Sequence, residues 1–159
     1  MVKPAQSRYL IFIMIEFYKI MNIQYKFIEN EEELEKSRIL RYKVFVEEQN
    51  IPKDLERDNV DSTSHHVIAV HGSTIVGTGR ITIDGEAKIS RLAVENSYRN
   101  HGIGRKIMQE LENIAGMNNA TKIHLSSNFQ SVSFYILQKA RLYKRRTSLH
   151  RMWGKSKKW

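Results

Sequence analysis

The stretch SRLAVENSYRNHGIGRKIMQELENIAG, Ser90 to Gly116, constrains the fold more than any other part of the chain. An apolar run ends at Val94, a polar loop with two glycines follows, and Ile107, Met108, Leu111, Ile114 and Ala115 then recur at helical spacing. Strand, tight loop and amphipathic helix must therefore follow one another closely. Glycine lets the backbone turn sharply and lets a ligand approach the main chain. The first amides of a helix lack intrahelical partners and sit at the positive end of its dipole, so the arrangement can cradle an anion. A dinucleotide-binding turn would need a third glycine where this chain has Ile107, and a parallel strand before the loop. Here Asp84-Gly85 lies between two apolar-alternating runs, a hairpin signal that makes EAKISRLAV an antiparallel strand. The dinucleotide reading fails, and a pyrophosphate cradle remains.

The other segments fit around this unit. NIQYKFI, Asn22 to Ile28, has strand composition, and Asn30 followed by Glu33 opens a helix expected to run to about Phe45. Glu47 to Ser64 is polar and reads as a long loop or a loop with one short helix. HVIAV and TIVGTGRITI are two strands joined at His71-Gly72. KIHLSS reads as a strand and FQSVSFYILQKA as a helix. This order predicts a single α+β domain around one mixed sheet, of a size able to bury one core.

Charge and composition remove several function classes. The net charge is +9, yet residues 1–138 hold 17 basic and 17 acidic side chains, and all the excess lies in residues 139–159. The body is not a basic-surfaced domain. The tail lacks an aromatic platform on folded structure, with Tyr143, Trp153 and Trp159 only suggestive, which argues against nucleic acid as a partner. With no cysteine, disulfides and thiolate metal sites are excluded, and no His cluster at ligand spacing points to a metal. Tyr9 to Ile20 is apolar but contains Glu16 and is too short to span a bilayer; it follows Lys3 and Arg8 without a small-residue cleavage site. Residues 1–20 are thus expected to be an upstream extension, with Met21 as the ancestral start, of a cytoplasmic protein that takes no membrane partner.

RLAVENSYRNHGIGRKIM resembles the acetyl-CoA motif of the GNAT N-acetyltransferase superfamily, Gln/Arg-x-x-Gly-x-Gly/Ala after a strand, with Arg99, Gly102 and Gly104 in its fixed places. NFQSVSFY is similar to the family's Asn, small residue and Tyr, here Asn128, Ser131 and Tyr135. LRYKVFVEEQNIPKDLERDNVDSTSHHVIAV is similar to a bacterial subgroup whose acceptor is largely undefined. The resemblance runs from about Met21 to Tyr135. It implies a GNAT-like, mostly antiparallel central sheet flanked by helices, with residues 21–138 as the catalytic domain.

The resemblance also implies roles. Backbone amides of Arg99, Asn100, His101, Gly102, Ile103 and Gly104 would hold the pyrophosphate of acetyl-CoA, with Arg105 nearby. Main-chain groups of the Leu92–Ala93–Val94 segment would pair with the pantetheine arm, which requires the sheet to splay after Val94. Asn128 would contact the arm, and Tyr135 would protonate the departing thiolate, a phenol being protonated at neutral pH. A base for the incoming amine is sought among Glu47, Glu48, His65 and His66, with Glu48 and His66 preferred. The acidic run Asp54, Glu56, Asp58 and Asp61 reads as a solvated loop, with selection of a cationic acceptor as the alternative. The acceptor would be a small-molecule or protein amine, and a homodimer is compatible with the sequence.

Beyond Tyr135 the family pattern breaks. The superfamily continues Lys-Lys-Leu-Gly-Tyr, whereas this chain has ILQKARLYKRRTSLHRMWGKSKKW, without alternation or an acid. A one-nucleotide shift with A/T-rich codons allows the residues from Ile136 to be re-read as FYKKLGYIKEG. The expectation is that residues 139–159 replace the usual last strands through a change of reading frame, with impaired activity. A CoA-binding protein without turnover, or a tail acting on nucleic acid, is the alternative function.

Overall fold

The structure is a computed structural model that describes residues 4–126; the expected helix around Tyr135, and the basic tail, lie outside the described residues. Chain order is α1 (Pro4–Met21), β1 (Ile23–Phe27), α2 (Glu31–Arg41), a π-helical segment (Tyr42–Glu48), α3 (Lys53–Glu56), a 3-10 turn (Asp61–Thr63), β2 (His65–His71), β3 (Thr74–Asp84), β4 (Glu86–Val94), a second 3-10 turn (Asn96–Tyr98), α4 (Ile103–Met117) and β5 (Ile123–Leu125). The strands form one sheet in the order β1-β2-β3-β4-β5, antiparallel except for the parallel β4–β5 pair. The mixed, mostly antiparallel sheet expected from sequence is present.

Local chemistry accounts for the boundaries. Asn30 caps α2, its side chain accepting the Glu33 amide at 2.9 Å, while the Glu33 carboxylate accepts the Glu29 amide at 3.1 Å. The chain reverses between β3 and β4 at Gly85, whose φ of +65° suits glycine. The expected helix to Phe45 needs correction: α-winding stops at Arg41 and continues as a π-helix to Glu48.

Each sheet face is packed differently. On one, α4 buries Ile103, Ile107, Leu111 and Ile114 against β3, whose Gly77 and Gly79 let the helix approach. A Cβ at Gly77 would lie 2.8 Å from Ile107 Cδ1, and one at Gly79 would lie 2.8 Å from Leu111 Cδ1. On the other, Leu40 and Val44 pack on Ala93, with Phe45 and Ile75 beside them. Leu10 to Ile15 of α1 are exposed, and near its end the Tyr18 ring meets His71 edge-on at 6.3 Å. Among the described residues no helix is long and apolar enough to cross a membrane.

Candidate active site

The cradle forms where β4 gives way to α4. The Glu95 amide donates to the Val76 carbonyl of β3 at 2.9 Å. Because C=O and N–H of a trans peptide point oppositely, the Val94 carbonyl faces away from β3, toward the outer edge of β4. β5 pairs with β4 only over Ala87, Lys88 and Ile89. Among the described residues, therefore, no strand pairs with the outer edge at Leu92–Val94, the segment expected to take an extended arm.

A bulge lies just upstream. The β3–β4 register shifts between Thr78 and Arg80, and Arg91 adopts a left-handed φ of 54°. The extra residue lets both Ser90 and Ala93, three apart, pair with Arg80 and Thr78 respectively. Leu92 is then free to approach Gly79, where an added Cβ would lie 3.3 Å from Leu92 Cδ1.

The loop that follows is tightly wound. Asn100 and Gly102 take left-handed φ values of 67° and 79°, and Gly102 begins α4 without a side-chain cap. The Gly102 carbonyl accepts the Lys106 amide at 3.0 Å, so the first turn of the helix is formed. Ile103 is buried and anchors that turn, while a Cβ at Gly104 would come no closer than 3.6 Å to Val94 Cγ2. The amides of Ile103 and Gly104 thus belong to a helix N-terminus beside an open strand edge, a geometry suited to an anion joined to an extended chain.

The expected base candidates sit differently. Glu48 pairs with Arg99, whose Nε also donates to the Val94 carbonyl at 3.0 Å. His66 on β2 is buried, and its Nε2 lies 2.9 Å from the Asp61 carbonyl. A carbonyl only accepts, so Nε2 carries the hydrogen and Nδ1 the lone pair; Nδ1 is buried without a partner among the described residues. Burial pushes the His66 pKa down, leaving the ring neutral at neutral pH. His65 is exposed at the start of β2. Asn128 and Tyr135 lie outside the described residues.

The acidic loop is not simply solvated, which corrects the expectation. Glu56 and Asp61 are buried, consumed by arginines from three other elements. Arg41 of α2, fully buried, donates to Glu56 Oε1 at 2.6 Å and to both Asp61 oxygens at 2.9 and 3.0 Å. Arg80 of β3 bonds Asp61 at 2.8 Å and pairs through both terminal nitrogens with Asp58. Arg91, on the bulge, reaches the Leu55 and Glu56 carbonyls at 2.8 and 3.1 Å and Asp58 at 3.0 Å. Burial would raise the Asp61 pKa, but the Arg41 and Arg80 guanidiniums hold it down at about 2. Of the run, Asp54 stays exposed. Arg80 and Arg91, cations within the strands TIVGTGRITID and EAKISRLAV, were the available signal for this network. Among the described residues there is no group of His, Asp and Glu able to hold a metal.

An open β4 edge among the described residues, a bulge and a helix N-terminus after a glycine loop together suit a ligand that joins an anion to an extended arm. The comparisons make the assignment specific. The sequence profile of the acetyltransferase (GNAT) family matches residues 16–138, and the chain belongs to that family. It is 38% identical over 108 residues to the uncharacterized N-acetyltransferase YjcF of Bacillus subtilis, covering 67% of this chain and 77% of the relative. Its fold is similar to that of an acyl-CoA N-acyltransferase from Pseudomonas aeruginosa, with TM-score 0.66 at 22% identity over 74% of this chain and 87% of the other. It is also similar to a Clostridium acetobutylicum acetyltransferase solved with acetyl-CoA, with TM-score 0.55 at 18% identity over 68% and 82%.

Proposed function

We propose that this chain is a cytoplasmic N-acetyltransferase that moves the acetyl group of acetyl-CoA to a primary amine. The observation that carries the proposal is the α4 N-terminus lying beside an edge of β4 that no strand among the described residues pairs: the loop Arg99–Gly104 takes the pyrophosphate, with Arg105 flanking it, and Leu92–Val94 takes the pantetheine arm. Holding amine and thioester in one complex supplies much of the rate by positioning. The nitrogen lone pair attacks the thioester carbonyl, the C–S bond breaks, and Tyr135 gives its proton to the leaving sulfur. The amine's proton leaves through a water relay to a carboxylate or imidazole base; of the candidates, Glu48 is paired with Arg99 and the His66 lone pair is enclosed, while Glu47 and His65 are exposed.

The acceptor is a small-molecule or protein amine. The charges of Asp58 and Asp61 are compensated by arginines, which argues against these two acids as selectors of cations. Calorimetry with CoA and acetyl-CoA, followed by a thiol-release screen over an amine panel, tests the reading. Micromolar binding with thiol release for at least one amine is expected; absence of CoA binding refutes it. A second reading rests on the family match ending at residue 138, where the basic tail begins. In that case CoA binds and no amine releases thiol.

A further inference from the structure

The π-winding of Tyr42–Glu48 places two charges where α-winding would not. In an α-helix, residues five apart point about 140° away from each other. The i→i+5 bonding of a π-helix brings such residues roughly one turn above one another. Lys43 and Glu48 are five apart, and both reach the connection between β4 and α4. Lys43 Nζ bonds both Glu95 oxygens at 3.0 Å, and Glu48 pairs with Arg99.

Their targets bracket the short turn before the cradle. The Glu95 carboxylate accepts the Asn96 amide at 3.1 Å, capping the 3-10 turn, and the Arg99 amide closes on the Asn96 carbonyl at 3.2 Å. Arg99 Nε then returns to the Val94 carbonyl, so one guanidinium joins the strand edge, the start of the loop and the π-segment. Between the two ion pairs, Val44 packs with Ala93 in the core.

We infer that the π-wound segment is a strap that sets the cofactor loop against the edge of β4, with Glu48 a positioning residue acting through Arg99. The inference rests on the reading of residues 99–104 as the CoA cradle. It assigns Glu48 work other than proton abstraction, and it gives the π-winding a purpose: a regular α-helix would turn Lys43 and Glu48 toward different neighbours. One of the Val94 carbonyl's lone pairs goes to Arg99, leaving the other for a ligand amide.

The test is a double-mutant cycle of Glu48→Gln and Arg99→Lys, read by CoA calorimetry and by hydrogen exchange of the 95–104 backbone in the ligand-free proteins. Each single variant should weaken CoA binding by about two- to fivefold, the range of partly exposed ion pairs, with the double variant no worse than the weaker single one. Exchange across 95–104 should quicken by a similar factor in Glu48→Gln, and Glu32→Gln, which removes only an exposed α2 pair with Lys36, should change neither readout. Unchanged exchange in Glu48→Gln, or single effects that multiply in full, overturns the strap. If the unmutated protein binds no CoA, the functional reading falls, and the exchange measurement alone decides the strap.

Discussion

Replacing Asp61 by Asn removes one negative charge without changing the side chain's shape, and the structure sets the size of the result. Asp61 is 2% exposed and accepts bonds from Arg41 at 2.9 and 3.0 Å, Arg80 at 2.8 Å and Arg38 at 3.3 Å. Its pKa of about 2 against 3.8 means that the fold favours the charged form by about 2 kcal/mol. The amide leaves the buried Arg41 with only Glu56 to offset its charge. Removing one partner of a buried pair costs about 3–5 kcal/mol. Urea unfolding followed by circular dichroism at neutral pH should move the midpoint down by about 1–5 M, given slopes of about 1–3 kcal/mol per molar. A shift below about 0.5 M would refute the argument, because the carboxylate would then be offsetting nothing. The pH dependence of the unmutated protein follows the same logic. Asp61 has a depressed folded pKa, so its stabilisation is present above 3.8 and lost as pH falls toward about 2. His66 is also depressed by burial, so its contribution is present above 6.5 and fades as pH falls below that value. Two acid-loss windows are therefore expected, and Asp61→Asn should shrink the lower one without removing it, because the Asp58, Glu33, Glu86 and Glu110 carboxylates are also held below their ordinary values by cationic partners.

Gly104→Val should fold, because a Cβ there meets only Val94 Cγ2 at 3.6 Å, yet CoA affinity should fall by at least about tenfold as the branched side chain enters the phosphate approach. Undiminished affinity by calorimetry would move the cradle elsewhere. Tyr135→Phe should lower turnover by about 10²- to 10⁴-fold with CoA binding retained; equal turnover assigns the ring to packing. The coding DNA near codons 134–138 should yield the family's Lys-Lys-Leu-Gly-Tyr after a single change of frame, and failure to find it would leave the basic tail in need of its own function.

What could be read from sequence follows the range of the forces involved. The β3–β4 hairpin and the apolar face of α4 depend on neighbours a few residues away, and Asp84-Gly85 and the Ile107–Ala115 spacing report them directly. Ile103 was missed as a core residue because it falls within the glycine loop, where a ligand contact and a buried anchor look alike. The π-winding was invisible for a different reason. Nothing in YKVFVEE marks where i→i+4 bonding gives way, and the partners Glu95 and Arg99 lie about fifty positions along the chain. The acidic loop was misread because its acids cluster in sequence, whereas Arg41, Arg80 and Arg91 come from three separate elements.

Helix α4 and the loop of residues 55–61 are held to the sheet by different physics. Under α4 the contacts are apolar and non-directional, and close approach is secured by Gly77 and Gly79 having no side chain; this suffices to bring a helix N-terminus to the end of β4. A loop cannot be fixed that way, because its backbone must stay hydrated or bonded and hydrophobic contact sets no register. Arginine forks do set one: each bond from Arg41, Arg80 and Arg91 fixes a particular oxygen of residues 55–61 against α2, β3 or the β4 bulge. Such buried pairs add little net stability beside an apolar substitute of equal volume, while the loss of one partner is costly. The Arg91 clamp also closes on the one residue of β4 with a left-handed backbone, at the bulge beneath which the open edge begins. The loop of residues 55–61 is thus tied to β4 by Arg91 at the bulge and to β3 by Arg80, which also bonds Ser90 of β4.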